Sequence, residues 1–337
     1  MKFLLFSLSC LALAASGLHA IEAFSEPAGA MRVTLRGGSD TRLGLPLDRQ
    51  YLYQGRIEAV DGNVITLAGT PGWTPNQWQP QGAGDETYEV LVTLGVEDGM
   101  ALRIVANGTN TLQVALAGDS LADVATNAAN GAGQGDIIRI LPSHTPASLL
   151  GAAPLPDQTI LYLYDRTDPA MNKAPAAVLT YSQAYGWYDA NFAVADHLPI
   201  ERGTSFIVRL PKGTPDVDVI LDGQVPLTSD RKVIPARAAR LDYPFSISDP
   251  IGVNIGASGL GLVDQTMLYA YDQSSAGYNQ SPSAVLTYYE GYGWYDQGFN
   301  IVDNTFILAP GAGYVLRMPS VSSPTNFVVS RLPDYVE

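Results

Sequence analysis

The chain has 337 residues, with 19 Lys and Arg set against 33 Asp and Glu, a net charge of −14. So acidic a surface repels nucleic acid and anionic lipid, whose binding rests on basic clusters, and the one basic stretch, RKVIPARAAR (231–240), is short and flanked by acids. Aliphatic and aromatic residues make up 46% of the chain, with 33 Gly and 23 Pro, which describes a turn-rich globular protein held by its core.

Residues 1–20, MKFLLFSLSCLALAASGLHA, read as a secretory signal peptide: Lys2, an apolar run from Phe3 to about Ala15, then small residues. Cleavage is expected after Ala20 or Gly17. Ser7 stands three residues before Cys10, where a lipoprotein signal needs Leu. Cys10 is the only cysteine, so the mature chain is expected without disulfide, thiolate nucleophile or cysteine metal site. No later apolar run approaches the ~18 residues of a membrane helix, so no membrane insertion is expected after signal removal. The expected location is periplasmic or extracellular.

A flexible leader, 21–30, is expected to precede an N-terminal β domain over 31–145. The hairpins there are marked by Asp61-Gly62-Asn63, between the runs of GRIEAVDGNVITLAG, and by Asn107-Gly108 within RIVANGTNTLQV. TYEVLVTLGV (87–96) and DIIRIL (136–141) supply further strands, and SLADVATNAANG (120–131) the one weak helical pattern. From there the chain repeats itself. At an offset of 107, residues 157–196 match 264–303 at 21 of 40 positions, and AVLTYSQAYGWYDANF (177–192) returns as AVLTYYEGYGWYDQGF (284–299). The period suits a complete small β unit rather than a solenoid turn. The expectation is an all-β protein: an N-terminal antiparallel β barrel or roll, a β repeat over 146–226, a connector over 227–256 able to contribute a strand, and a second β repeat over 257–337. The two homologous modules can pack with pseudo-twofold symmetry.

Each copy of the repeated stretch reads as a hairpin that places Trp and Tyr on opposite faces, so one of the two rings points inward. Trp187, Tyr188 and Asp189, with Trp294, Tyr295 and Asp296, are the candidate ligand-binding residues, because aromatic faces beside carboxylates are how sugars are often held. Against this, strand aromatics mostly fill cores. Among the identities, Leu161, Tyr162, Val178, Leu179 and Phe192 are of core type, whereas loop residues such as Ser182-Gln183-Ala184 against Tyr289-Glu290-Gly291 have drifted. Asp189 and Asp296 are the conceivable acid pair of a hydrolase, and an Asx bond to the turn backbone is the plainer use for each. No HExxH, GxSxG, phosphate loop or dinucleotide fingerprint occurs, and only His144 and His197 follow the signal. Calcium is the one cation with matching oxygens, in DRTDPAMN (165–172) and DVD (216–218), without an EF-hand pattern.

SDTRLGLPL (39–47), the G-x-I-x-x-V-x-G-N-x-I-T hairpin from Gly55, IVANGTNTLQV, GDIIRILP and FIVR together resemble a group of uncharacterised secreted bacterial proteins, often present as several paralogues, over nearly all of the mature chain. The resemblance carries no catalytic residues. It implies export and a non-enzymatic, surface-related role: a structural or binding protein of the envelope or matrix, with polysaccharide or other envelope proteins as partners. Carbohydrate binding through the repeated Trp/Tyr motifs is the alternative, and a hydrolase the second.

Overall fold

The computed structural model describes residues 26–82, 85–322 and 325–336. The signal-peptide reading and the first five residues of the leader lie outside them. From Glu26 onward the leader is tied down: Arg139 pairs with Glu26 at 2.5 Å, and Val225 N donates to Pro27 O. Strand β1 (Ala28–Leu35) begins inside the segment expected to be flexible and is followed by β2 (Asp40–Leu43).

The chain then forms a closed six-stranded antiparallel barrel from β3 (Tyr53–Asp61), β4 (Val64–Leu67), β5 (Tyr88–Val92), β6 (Ala101–Asn107), β7 (Thr111–Ala115) and β8 (Ile137–Pro142), in the order β3-β4-β7-β6-β5-β8 and back to β3. Alternate residues such as Ile57, Ile65, Ile104 and Val114 fill the interior with no exposed surface, as the two-residue side-chain period requires. The β3–β4 turn holds Gly62 at φ +58°, where a Cβ is disfavoured. Asn107-Gly108 opens the β6–β7 turn, where Gly108 N donates to Thr111 O, and the buried Asn107 amide also accepts from Trp78 N and donates to Thr74 O, stapling the Trp73–Trp78 loop to the barrel. The weak helical pattern yields only α1 (Asn127–Asn130), and α2 (Pro146–Leu150) follows β8 under a Thr145 capping box.

After α2 come β9 (Ile160–Leu163), β10 (Ala177–Ser182), β11 (Gly186–Tyr188), β12 (Phe206–Arg209) and β13 (Val217–Gln224). They assemble with the first two strands: β2 closes the sheet β11-β10-β9-β12-β2, and β1 pairs with β13 along its whole length. Thus the unit expected over 31–145 is divided. Its first strands belong with the repeat, and the barrel is an insertion between β2 and β9. Leu35, Leu43, Leu161, Trp187 and Val208 share one core, separate from that of the barrel.

The remaining strands are β14 (Asp230–Ile234), β15 (Leu241–Ser246), β16 (Val253–Asn254), β17 (Met267–Ala270), β18 (Ala284–Tyr289), β19 (Gly293–Tyr295), β20 (Ile307–Leu308), β21 (Gly313–Met318) and β22 (Phe327–Arg331). The expected connector supplies three of them, and β15 lies at the end of the sheet β15-β21-β17-β18-β19 as β2 does in the other. β14 pairs with β22 as β1 pairs with β13.

Where the two five-stranded sheets meet, each sends a loop to the other. Arg209 is bonded in a fork to Asp40 (2.6 and 2.8 Å), and Asn279 of the second sheet's loop donates its backbone N–H to that carboxylate and accepts from Arg209. Arg317 forks onto Asp242 (2.6 and 2.9 Å), and Asn172 of the first sheet's loop caps that pair in the same way. Both asparagines are left-handed, at φ +54° and +51°.

Candidate functional site

Hairpin β10–β11 and hairpin β18–β19 carry the Trp and Tyr residues singled out for ligand binding, and Asp189 and Asp296 directly follow them. Their registers correspond, with Tyr181 opposite Trp187 and Tyr288 opposite Trp294. Trp187 and Trp294 are each 1% exposed, so both indoles lie in module cores. Tyr181 packs on Trp187 at 5.3 Å and Tyr288 on Trp294 at 5.5 Å, both tilted 52°. The backbone N–H of each Trp donates to a carboxylate, Asp196 for Trp187 and Asp303 for Trp294. The residue before each Trp is a glycine at positive φ (Gly186 and Gly293), and a Cβ there would meet that same carboxylate at under 3 Å.

Tyr188 and Tyr295 are half-buried on the opposite face. Asp189 and Asp296 shape the turn that follows. Asp189 Oδ1 accepts from Asn191 N and Ala193 N, and Asp296 Oδ1 from Gly298 N and Asn300 N. Hydrogen bonds to Ala193 and Asn191 hold the Asp189 carboxyl below the usual carboxylate range; the Asn300 side chain and backbone do the same for Asp296. These are turn-forming Asx bonds. Such a carboxylate is disposed to stay ionised, contrary to what a general acid requires.

The turn projects an aromatic ring outward. Phe192 and Phe299 occupy its left-handed position, both at φ +60°, and they are 80% and 75% exposed. The ring of Phe192 stacks on Tyr188 at 5.6 Å, and Val194 bridges back to Tyr188 beside it. These turns are the tips of short hairpins closed by Tyr188–Val194 and Tyr295–Ile301; Tyr185, 79% exposed, and its counterpart Tyr292 lie at the other ends of β11 and β19, in the β10–β11 and β18–β19 turns. This corrects the core reading of two identities. Leu161 and Leu179 are buried, but Phe192 faces solvent and Val178 is exposed as well. The tips were findable from sequence, since Asp-x-x-Phe is identical in both copies after the strand has ended.

The candidate calcium oxygens are engaged by protein donors: Asp165 by Thr167, Asp168 by Lys173, Asp216 by Arg36 and Gly37 N, and Asp218 by Thr34. Among the described residues no group of three or more His, Cys, Asp or Glu side chains gathers to hold a metal.

A cleft of about 550 Å³ runs between the barrel and the modules, with Gly99, Ala101 and Ala115 on the barrel wall. Charges line its depths. Arg166 pairs with Glu201, Arg202 with Asp48, and Arg231 with both Glu97 and Asp119 of the barrel. Glu89 of β5 lies in this cleft without an ion pair among the described residues, and burial, opposed by Arg202, pushes its carboxyl up to about 7. Comparison with family models, curated proteins and solved structures finds no significant match to this chain.

Proposed function

We propose that this chain is an exported, non-enzymatic binding protein of the cell envelope or extracellular matrix that grips its partner through the two aromatic hairpin tips. The observation that carries the reading is the paired Phe192 and Phe299. A phenylalanine in the left-handed region costs on the order of 1–2 kcal/mol, and a ring 75–80% exposed recovers little of that by burial. Retaining both within the internal repeat, amid drifting neighbours, points to use outside the fold. Exposed apolar clusters rimmed by polar groups mark interaction sites. In this reading the modules are homologous and packed about a pseudo-twofold axis, supported by the reciprocal Asn279 and Asn172 caps, so one rigid body presents two equivalent tips and gains avidity.

The test is co-sedimentation with envelope fragments and with insoluble extracellular polysaccharide. Replacing both phenylalanines by glycine (F192G/F299G) removes the rings and relieves the backbone together. The double variant should melt at or above the wild-type temperature and lose co-sedimentation. Wild-type protein that sediments with neither material, or a double variant that sediments as well as wild type, overturns the proposal.

A further inference from the structure

Two clefts lie side by side where the five-stranded sheets meet, of about 280 and 350 Å³, sharing Arg42, Tyr164 and Tyr271 in their walls. Together they fall within the ~300–1,000 Å³ of small-ligand sites. Their walls come from identities of the internal repeat that core packing leaves unexplained: Tyr162 with Tyr269, and Tyr164 with Tyr271. All four tyrosines are half-buried. Arg209 lies against Tyr162 and Arg317 against Tyr269, at 5.1 and 4.9 Å from the ring centres, each with its charge already met by Asp40 or Asp242.

The shared middle is different. The guanidinium of Arg42 stacks on Tyr271 at 4.5 Å, and among the described residues it makes no ion pair and donates no hydrogen bond. Neither the Tyr164 nor the Tyr271 hydroxyl has a hydrogen-bond partner among those residues. Arg42 pairs across β2 with Ile207, and the place corresponding to it on β15, opposite Val315, is Pro244. A pair of otherwise matching clefts therefore carries one unmatched cation, which gives any ligand spanning them a direction.

We propose that the joined clefts bind a short acidic saccharide, with a carboxylate forked onto Arg42 and a sugar ring laid against Tyr164. Arginine offers planar paired donors that match a carboxylate, and stacking on Tyr271 holds that plane in place. A pyranose has an apolar C–H face for the ring of Tyr164 and a rim of hydroxyls for the two free tyrosine hydroxyls and for the Gln273 side chain, whose Nε2 is anchored on Arg42 O. The overall charge of −14 disfavours a long polyanion. A single carboxylate responds to the local guanidinium, because distant charge is screened beyond about 8 Å at physiological salt.

The experiment is isothermal titration of the full mature chain with trigalacturonate, cellotriose and triglutamate at two salt concentrations. Trigalacturonate should bind, more weakly at the higher salt, and Arg42→Gln should lose at least tenfold in affinity with an unchanged melting temperature, since Arg42 holds no ion pair among the described residues. Arg42→Lys should retain an intermediate affinity, and Tyr164→Ala should weaken binding without abolishing its salt dependence. The F192G/F299G variant should bind trigalacturonate as wild type does, which separates this site from the hairpin tips. No binding of trigalacturonate, equal binding by Arg42→Gln, or equal affinity for cellotriose overturns the proposal. Equal affinity for triglutamate overturns the saccharide assignment.

Discussion

Trp187 and Trp294 do the same work at the scale of single residues. Each closes a module core, leans on a strand tyrosine, and fixes its own backbone N–H on an aspartate that only a glycine lets come so near. Truncating either indole leaves a large cavity walled by side chains already packed, so Trp187→Ala and Trp294→Ala should each lose about 3–5 kcal/mol. Chemical denaturation with a constant m-value is the check, and a loss below ~1 kcal/mol in both would contradict a core role. The neighbouring identities show what sequence could tell and what it could not. Period-two alternation and aromatic content sufficed to propose the hairpin and the Asx bonds of Asp189 and Asp296. The pattern alone left open which ring faces inward, because either phase of a two-residue period is consistent with one buried face. Phe192 was misread as core because its apolar character hides a position set by turn geometry, where the strand alternation has already stopped.

At the scale of elements, the repeat at offset 107 exposes β9–β13 and β17–β22 but hides the strands that complete them. Asp40 of β2 and Asp242 of β15 occupy corresponding places against Arg209 and Arg317, yet 40–43 (DTRL) and 242–245 (DYPF) share only the aspartate, and the barrel inserted after β2 destroys the spacing. An arginine repeated on a half-buried strand needs a carboxylate, and the carboxylates that meet Arg209 and Arg317 lie outside both 146–226 and 257–337. The reciprocal caps make this network testable between elements. Asp40→Asn should cost about 1.5–3 kcal/mol, the range for hydrogen bonds to charged groups. In double-mutant cycles Asp40→Asn should couple with Asn279→Ala by at least ~0.5 kcal/mol and add with Asn172→Ala, which shares no partner with it. Coupling to Asn172 in place of Asn279 would contradict the observed exchange of loops.

For the whole molecule, the seam between barrel and modules is where stability should respond to pH, because a half-buried carboxyl, Glu89, and a buried imidazole, His144, pull in opposite directions there. Glu89, on the barrel wall, is pushed up to about 7 by burial. The folded protein therefore binds a proton that the unfolded chain releases above about 4.5, and stability falls as pH rises from about 4.5 to 7, by about 3 kcal/mol at most. His144, just past β8, is buried with Nε2 2.9 Å from Leu47 O, a carbonyl that can only accept, so this nitrogen carries the proton of a neutral ring. Burial pushes its pKa down to about 4. Here the unfolded chain takes up the proton first, and stability falls as pH drops from about 6.5 to 4. Between about 4.5 and 6.5 the two contributions oppose each other. Removing one should therefore uncover the other. Glu89→Gln should gain melting temperature relative to wild type progressively from pH 5 to 7.5, and its own melting should decline more steeply than wild type below pH 6.5. His144→Gln should show the reverse, with less acid sensitivity and an undiminished loss toward pH 7. Melting curves of the three proteins across pH 4.5–7.5 decide the matter. A constant offset between Glu89→Gln and wild type over that range would mean that Glu89 titrates as an ordinary surface carboxylate and that the seam does not seal it.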